Sequence, residues 1–141
     1  SVTRFSVRNA EPSKPGTHDE GPYEYGYNAN GLLASVTHSA TASGSTTDVR
    51  RSLYTYFDGS NSRGNRGDLE SATVEAWCGT NSAWMPVSRS CYRYYTPGLT
   101  GGFVHGLRYA VGPAAFDRMV AAGLDPLADD PSECAVRPLE Y

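Results

Sequence analysis

Residues 23–33 read Tyr-Glu-Tyr-Gly-Tyr-Asn-Ala-Asn-Gly-Leu-Leu, and this stretch decides the fold. In Tyr23–Tyr27, tyrosine alternates strictly with small or polar residues, which is typical of a half-buried β-strand. Residues 28–31 follow as Asn-Ala-Asn-Gly, and asparagine and glycine tolerate the positive φ angles of a tight turn. The segment Leu32–His38 then has the pattern of a returning strand. We therefore predict a β-hairpin over residues 23–38, with Gly31 at a positive φ.

Strand patterns recur along the chain between segments rich in Gly, Pro, Asn and Ser. Further strands are predicted at residues 2–8, 50–57, 69–77, 84–95 and 103–111. The strands at 69–77 and 84–95 form a second hairpin, in which Trp77 lies opposite Trp84. Such an aromatic pair stabilises a hairpin by a few tenths to ~1 kcal/mol. The predicted loops are residues 9–21, 39–47 and 58–67.

One helix is predicted, near residues 113–122. Pro113 suits the first helical position, alanines follow it, and Gly123 supplies a left-handed stop. Phe116, Met119 and Val120 have the spacing of one helix face, so we expect that face to dock on a sheet. The predicted fold class is all-β, with mainly antiparallel hairpins in a twisted sheet and this one short helix.

The composition points to one β-rich domain and away from nucleic-acid binding. The 141 residues include 12 basic and 15 acidic ones, for a net charge of -3, whereas nucleic-acid binders need a concentrated basic surface. The arginines around positions 50 and 63 lie among Ser, Asn and Gly, which favours solvated loop charges. No run of about 18 apolar residues exists, so no membrane insertion is expected. Both ends have strand-like sequence, and we interpret residues 1–141 as a single β-repeat module, a fragment of or a subunit within a larger assembly.

A short tyrosine-rich strand recurs within the chain. The copies are Tyr23–Tyr27, Tyr54–Tyr56 and Tyr92–Tyr95, and Leu139–Tyr141 has the pattern of the start of a fourth. Their spacing grows along the chain, which is typical of degenerate repeats with insertions.

These repeats resemble the RHS/YD repeat, whose core is Tyr-x-Tyr-Asp-x-x-Gly-x-Leu. The best copy matches at Tyr25, Tyr27, Gly31 and Leu33, and it has Asn28 where the family usually has Asp. Asparagine keeps the oxygen that caps the turn, so we expect the turn to survive. The other two copies depart further: no glycine lies at the expected spacing after Tyr54–Tyr56, and Tyr92–Tyr95 lacks the Asp and the clean turn.

The resemblance implies a structural role outside the cell. RHS/YD hairpins stack on their neighbours into long spiral sheets, which form shells around a cargo or adhesive bodies at the cell surface. By that resemblance, the chain is a secreted or cell-surface module, part of a β-sheet shell or filament. Its expected partners are neighbouring repeats or identical copies, joined through strand edges.

No constellation in the sequence predicts an enzyme. The three histidines lack metal-ligand spacing, and no nucleophile or phosphate-loop motif is present. We therefore expect no catalytic residue, metal or cofactor. The alternative function is carbohydrate binding, in which an aromatic platform stacks on sugar rings; its candidate residues are Trp77, Trp84, Tyr92 and Tyr94.

Three cysteines allow at most one internal disulfide. Placing Trp77 opposite Trp84 leaves Cys78 at the turn and Cys91 near the far end of the hairpin, too far apart to be bonded. Cys134 is then the better partner for either.

The terminal strands lack the lysines that blunt an edge, because Lys14 is the only lysine. We therefore predict that the chain pairs edge to edge, either with its own copies head to tail or with other parts of a longer parent protein.

Overall fold

The computed structural model describes residues 2–5, 20–42, 45–129 and 139–140. The described residues form eight strands and one helix. The elements are β1 (Val2–Phe5), β2 (Glu20–Tyr27), β3 (Leu33–Ala42), β4 (Ser45–Tyr56), β5 (Leu69–Cys78), β6 (Ala83–Tyr94), β7 (Leu107–Val111), α1 (Pro113–Ala121) and β8 (Leu139–Glu140). The strands are ordered in the sheet as they occur in the chain, and the registered neighbours are antiparallel. The predicted all-β class with one short helix is confirmed.

The chain forms two compact units. The first comprises residues 1–53 and 74–87, and the second comprises residues 54–73 and 88–141, each as far as it is described. Strands β4, β5 and β6 are therefore divided between the units. Residues 6–8 of the predicted strand at 2–8 and residues 9–19 of the predicted loop at 9–21 lie outside the described residues.

The first hairpin of the first unit has the predicted turn. Gly31 has a φ of +78°, and its N–H donates to the Asn28 carbonyl at 3.0 Å. The Asn28 side-chain oxygen accepts hydrogen bonds from the N–H groups of Asn30 and Leu32, both at 3.0 Å. Asparagine therefore supplies the capping oxygen in this turn, as the sequence predicts.

The predicted loop at residues 39–47 is wrong, because strands fill most of it. β3 continues to Ala42, and β4 starts at Ser45 rather than at residue 50. Ser39 pairs with Asp48 and Ala40 with Thr47, after a register shift at His38. The β-branched threonines suit a strand, and pairing satisfies backbone groups that a loop would leave to water.

The second unit contains the buried apolar core. Cys91 and Val111, which are paired across β6 and β7, are fully buried beneath Phe116 and Met119 of α1. Ala115 completes the buried helix face. Val120 was predicted to lie on this face, but it is 54% exposed. That prediction is wrong because the face that docks is 115, 116 and 119, which points about 100° away from residue 120.

The end of α1 is closed by the backbone. Gly123 has a φ of +80°, and its N–H donates to the Val120 carbonyl. The Leu124 N–H donates to the Met119 carbonyl at 3.0 Å, and the Leu124 side chain packs against the core. This pair of hydrogen bonds is a Schellman motif, which confirms the predicted glycine stop.

β7 is shorter than predicted and starts at Leu107 rather than at residue 103. The Gly106 N–H donates to the Phe103 carbonyl at 2.7 Å, so residues 103–106 turn back instead of extending.

Candidate functional site

Two tryptophans of the first unit form the centre of the predicted aromatic site. Trp77 on β5 and Trp84 on β6 have ring centroids 5.6 Å apart, at an interplanar angle of 69°. This edge-to-face geometry is the favourable one for aromatic pairs. Trp77 is 38% exposed. The predicted Trp77–Trp84 contact is confirmed.

Arg51 of β4 completes this aromatic surface. Its guanidinium carbon lies 4.5 Å from the Trp84 ring centroid, a cation–π contact. Its Nε donates to a carboxylate oxygen of Glu75 at 2.5 Å. The ion pair holds the guanidinium over one face of Trp84, so a stacked ligand would use the exposed Trp77.

Arg51 and Glu75 are functional candidates that sequence reasoning missed. The arginines around residue 50 are interpreted from the sequence as solvated charges, whereas Arg51 makes an ion pair with Glu75 and a cation–π contact with Trp84. The signal was present in the sequence, because Arg51 lies two residues from Leu53 in the predicted strand. Its partner on another strand could not be identified without the pairing.

The other two predicted platform residues, Tyr92 and Tyr94, belong to the second unit. They lie two residues apart on β6 and so share one face of that strand. Tyr94 packs edge-on against Phe57, with ring centroids 6.3 Å apart. Burial, with a smaller contribution from the charge of Asp68, raises the pKa of the Tyr94 hydroxyl. Tyr94 therefore packs against Phe57 and is not a freely exposed member of the predicted platform.

The repeat-motif residues form one hairpin of the first unit. Tyr25 and Leu33 are partly buried, and Tyr27 is 40% exposed. Asn28 and Gly31 form its turn. A stacked contact between Tyr23 and His38, with ring centroids 4.7 Å apart, adds a cross-strand ring pair to the same hairpin.

A hydrogen bond between His105 and Asp68 is the arrangement closest to acid–base chemistry among the described residues of the second unit. His105 Nδ1 lies 2.8 Å from Asp68 Oδ1, and the histidine side chain is 57% exposed. Burial alone would raise the pKa of Asp68, but hydrogen bonds from His105 and Asn65 outweigh it and lower that pKa. Among the described residues, no group of three His, Cys, Asp or Glu side chains could hold a metal ion.

Cys78 and Cys91 are both free thiols in the described part of the chain. The Cys91 thiol donates to the Pro126 carbonyl at 3.2 Å. Cys134, the predicted disulfide partner, lies outside the described residues. In the described portion, no helix is long and apolar enough to cross a membrane.

No protein-family model matches this chain, and no curated protein matches it. The chain is similar to the crystal structure of a DUF3836 family protein from Parabacteroides distasonis ATCC 8503. The TM-score is 0.38 and the sequence identity 15%, over 69% of this chain and 97% of that chain. A likeness at this TM-score carries no argument about function. The class that the structure itself defines is an antiparallel β-sheet module with one short helix.

Proposed function

We propose that this chain is a structural, non-enzymatic interaction module, a YD-repeat-like part of an extracellular or cell-surface β-sheet wall, filament or adhesive scaffold. The observation that carries the proposal is the burial pattern of the first unit. Among the residues whose burial the structure describes, every buried apolar side chain, from Phe57 to Met119, belongs to the second unit. The described hairpins of the first unit leave their apolar side chains half-buried or exposed.

A sheet with uncovered faces needs a partner to become stable. Isolated hairpins are marginal in water, and repeat units bury their faces by stacking on neighbours. The first unit offers such a surface at Met85 and Val87, which are 46% and 61% exposed. These residues are two apart on β6 and therefore share one face. We infer that a neighbouring repeat or an identical copy covers this face.

Strand edges supply the second mode of association. β1 and β8 are the first and last strands in the sheet order. Such terminal strands expose backbone groups that another chain can pair with, unless lysines or prolines blunt them. The extracellular location rests on the resemblance to RHS/YD repeats alone.

Sedimentation velocity over a range of concentrations tests the association. The average sedimentation coefficient of the wild-type chain should rise with its concentration. The Met85→Lys/Val87→Lys variant should weaken face association, and Thr3→Lys in β1 should weaken edge pairing. The control is Val120→Lys, since Val120 is equally exposed but lies on α1 of the second unit. A wild-type chain that stays monomeric at every concentration would refute the proposal.

The second candidate function is carbohydrate binding at Trp77, Trp84 and Arg51. The observation that favours it is an exposed indole beside a charged pair, since sugar sites combine an aromatic surface with polar groups. A glycan array followed by a titration of tryptophan fluorescence tests it. Binding should be lost in Trp77→Ala and kept in Tyr27→Ala, an exposed aromatic on another hairpin. The absence of any glycan-dependent fluorescence change would remove this candidate.

A further inference from the structure

The candidate carbohydrate site is a cluster of four side chains that spans three strands of the first unit. Glu75 and Trp77 are two residues apart on β5 and therefore lie on the same face of that strand. Trp84 of β6 contacts Trp77. Arg51 of β4 contacts both Glu75 and Trp84. The geometry of these contacts limits the kind of ligand that the cluster can hold.

The two indole rings do not form one flat platform. Their planes meet at 69°, and their centroids are only 5.6 Å apart. One face of Trp84 is covered by the Arg51 guanidinium, whose carbon lies 4.5 Å from the ring centroid. A polysaccharide that stacks ring after ring needs a row of open aromatic faces with similar orientation. The 38% exposed Trp77 is the ring that remains for stacking, so the cluster has room for one sugar ring.

The polar groups beside these rings are held in place. The Arg51 and Glu75 side chains are 31% and 14% exposed, and Arg51 Nε donates to a carboxylate oxygen of Glu75. Arg51 is held a second time by its contact with Trp84. Because these side chains are already ordered, less conformational freedom is lost when a ligand binds. Their positions on strands also fix them more precisely than loop positions would.

The charges of Arg51 and Glu75 offset each other within the cluster. A guanidinium donates hydrogen bonds and never accepts them, whereas a carboxylate only accepts. A hydroxyl group does both, so two neighbouring sugar hydroxyls match this pair: one accepts from Arg51 and the other donates to Glu75. The carboxylate of an acidic sugar would have to compete with Glu75 for the guanidinium, and it would be repelled by the charge of Glu75. The pair therefore favours a neutral sugar.

We propose that this cluster binds a single neutral pyranose ring, and neither an acidic sugar nor an extended polysaccharide segment. The ring stacks on Trp77 through its C–H groups, which carry partial positive charge, whereas the face of an indole is negative. Adjacent hydroxyls of the same ring bond to Arg51 and Glu75. This proposal rests on carbohydrate binding as the second candidate function, and it adds the size and the charge of the ligand.

Tryptophan fluorescence reports on this cluster alone, because Trp77 and Trp84 are the only tryptophans in the chain. The neutral probes are the methyl glycosides of D-glucose, D-galactose and D-mannose, and the acidic probe is the methyl glycoside of D-glucuronic acid. We expect at least one neutral glycoside to change the fluorescence saturably, with an affinity that does not depend on salt. The hexasaccharide of the same sugar should bind at most about six-fold more tightly, because it offers six rings to a site that takes one.

The possible results separate this proposal from the function on which it rests. A gain for the hexasaccharide far beyond the number of its rings would overturn the assignment of a single ring, as would a response to array glycans but to none of the neutral methyl glycosides. Tighter, salt-sensitive binding of the glucuronide would overturn the neutral class. Each of these results leaves carbohydrate binding itself standing. If no sugar of any kind changes the fluorescence, the second candidate function fails, and this proposal fails with it.

Substitutions locate the ligand at the polar pair. Glu75→Gln should weaken the neutral glycoside roughly 10-fold, because a charged acceptor is lost. Arg51→Gln should act in the same direction, and urea unfolding shows whether each variant is folded. The matched control is Arg50→Gln, which removes an exposed arginine on the opposite face of the same strand and should leave the affinity unchanged. Equal losses in Arg50→Gln and Arg51→Gln, or an unchanged affinity in Glu75→Gln, would overturn the proposal.

Discussion

Replacing Gly31 by alanine separates backbone strain from every other effect in the first hairpin. The φ of Gly31 is +78°, and a Cβ added there would meet nothing within 4 Å. No folded-state contact is gained or lost, so the change in the free energy of unfolding is the strain of the left-handed backbone, offset in part by the restriction that alanine places on the unfolded chain. For a residue with a Cβ this conformation costs about 1–2 kcal/mol. Gly31→Val should cost more, because β-branching makes a positive φ worse.

Gly79 provides a matched control within the same unit. It lies in the β5–β6 turn, its φ is not positive, and an added Cβ would likewise meet nothing within 4 Å. Gly79→Ala should be neutral or stabilising by about 0.4–1 kcal/mol, since alanine restricts the unfolded chain. Gly31→Ala and Gly79→Ala make the same chemical change, but only Gly31→Ala is expected to lower the free energy of unfolding.

Hydrogen exchange on the amides of β2 and β3, together with urea unfolding, measures the difference. Exchange is needed because local opening of one hairpin need not unfold the second unit. Gly31→Ala should speed exchange across the hairpin and lower the urea midpoint, with an unchanged slope. Equal midpoints and equal exchange for the two alanine variants would refute the reasoning from φ.

Three further predictions concern Gly64, Asp68 and the two described cysteines. Gly64→Ala should destabilise by more than about 1 kcal/mol in thermal unfolding, because its Cβ would overlap the buried Phe57 ring; an unchanged Tm would contradict that packing. The pKa of Asp68 is lowered in the folded protein, so this carboxylate stabilises above its unfolded pKa of about 4 and that stabilisation is lost as the pH falls. In Asp68→Asn, the free energy of unfolding should therefore fall less steeply as the pH is lowered below about 4. A pH dependence identical to that of the wild type would show that Asp68 does not contribute to acid unfolding. Burial raises the pKa of the Cys91 thiol, so an alkylating reagent should label Cys78 first. Mass spectrometry of a non-reduced digest measures the labelling. Equal labelling of the two thiols, or a disulfide-linked Cys78–Cys91 peptide, would show the cysteine assignment to be wrong.

Local turn chemistry was predictable wherever it depended on neighbouring residues. The hairpin around Gly31 and the stop at Gly123 were predicted from the sequence, because both depend on the φ that only glycine adopts readily. The contact between Trp77 and Trp84 was also predictable, since it follows from counting outward from one turn. These are short-range consequences of the sequence.

Features that depend on distant segments were not predictable. Residues 39–47 have loop-like composition, and only the pairing of Ala40 with Thr47 shows that they are strands. The exposure of Val120 depends on which helix turn meets Val111. Arg63, interpreted as a solvated loop charge, reaches a carbonyl 65 residues further on, a contact that no local pattern encodes.

The sheet order has a consequence for how such a protein folds and grows. Each strand is next to the strand that precedes it in the chain. Each strand therefore pairs with the strand made just before it, which lowers the contact order for a β protein and lets strands be added in sequence during synthesis. A duplicated pair of strands with its turn would enter the order without reversing the direction of any later strand. Duplication of hairpins is thus a direct evolutionary route to longer sheets of this kind.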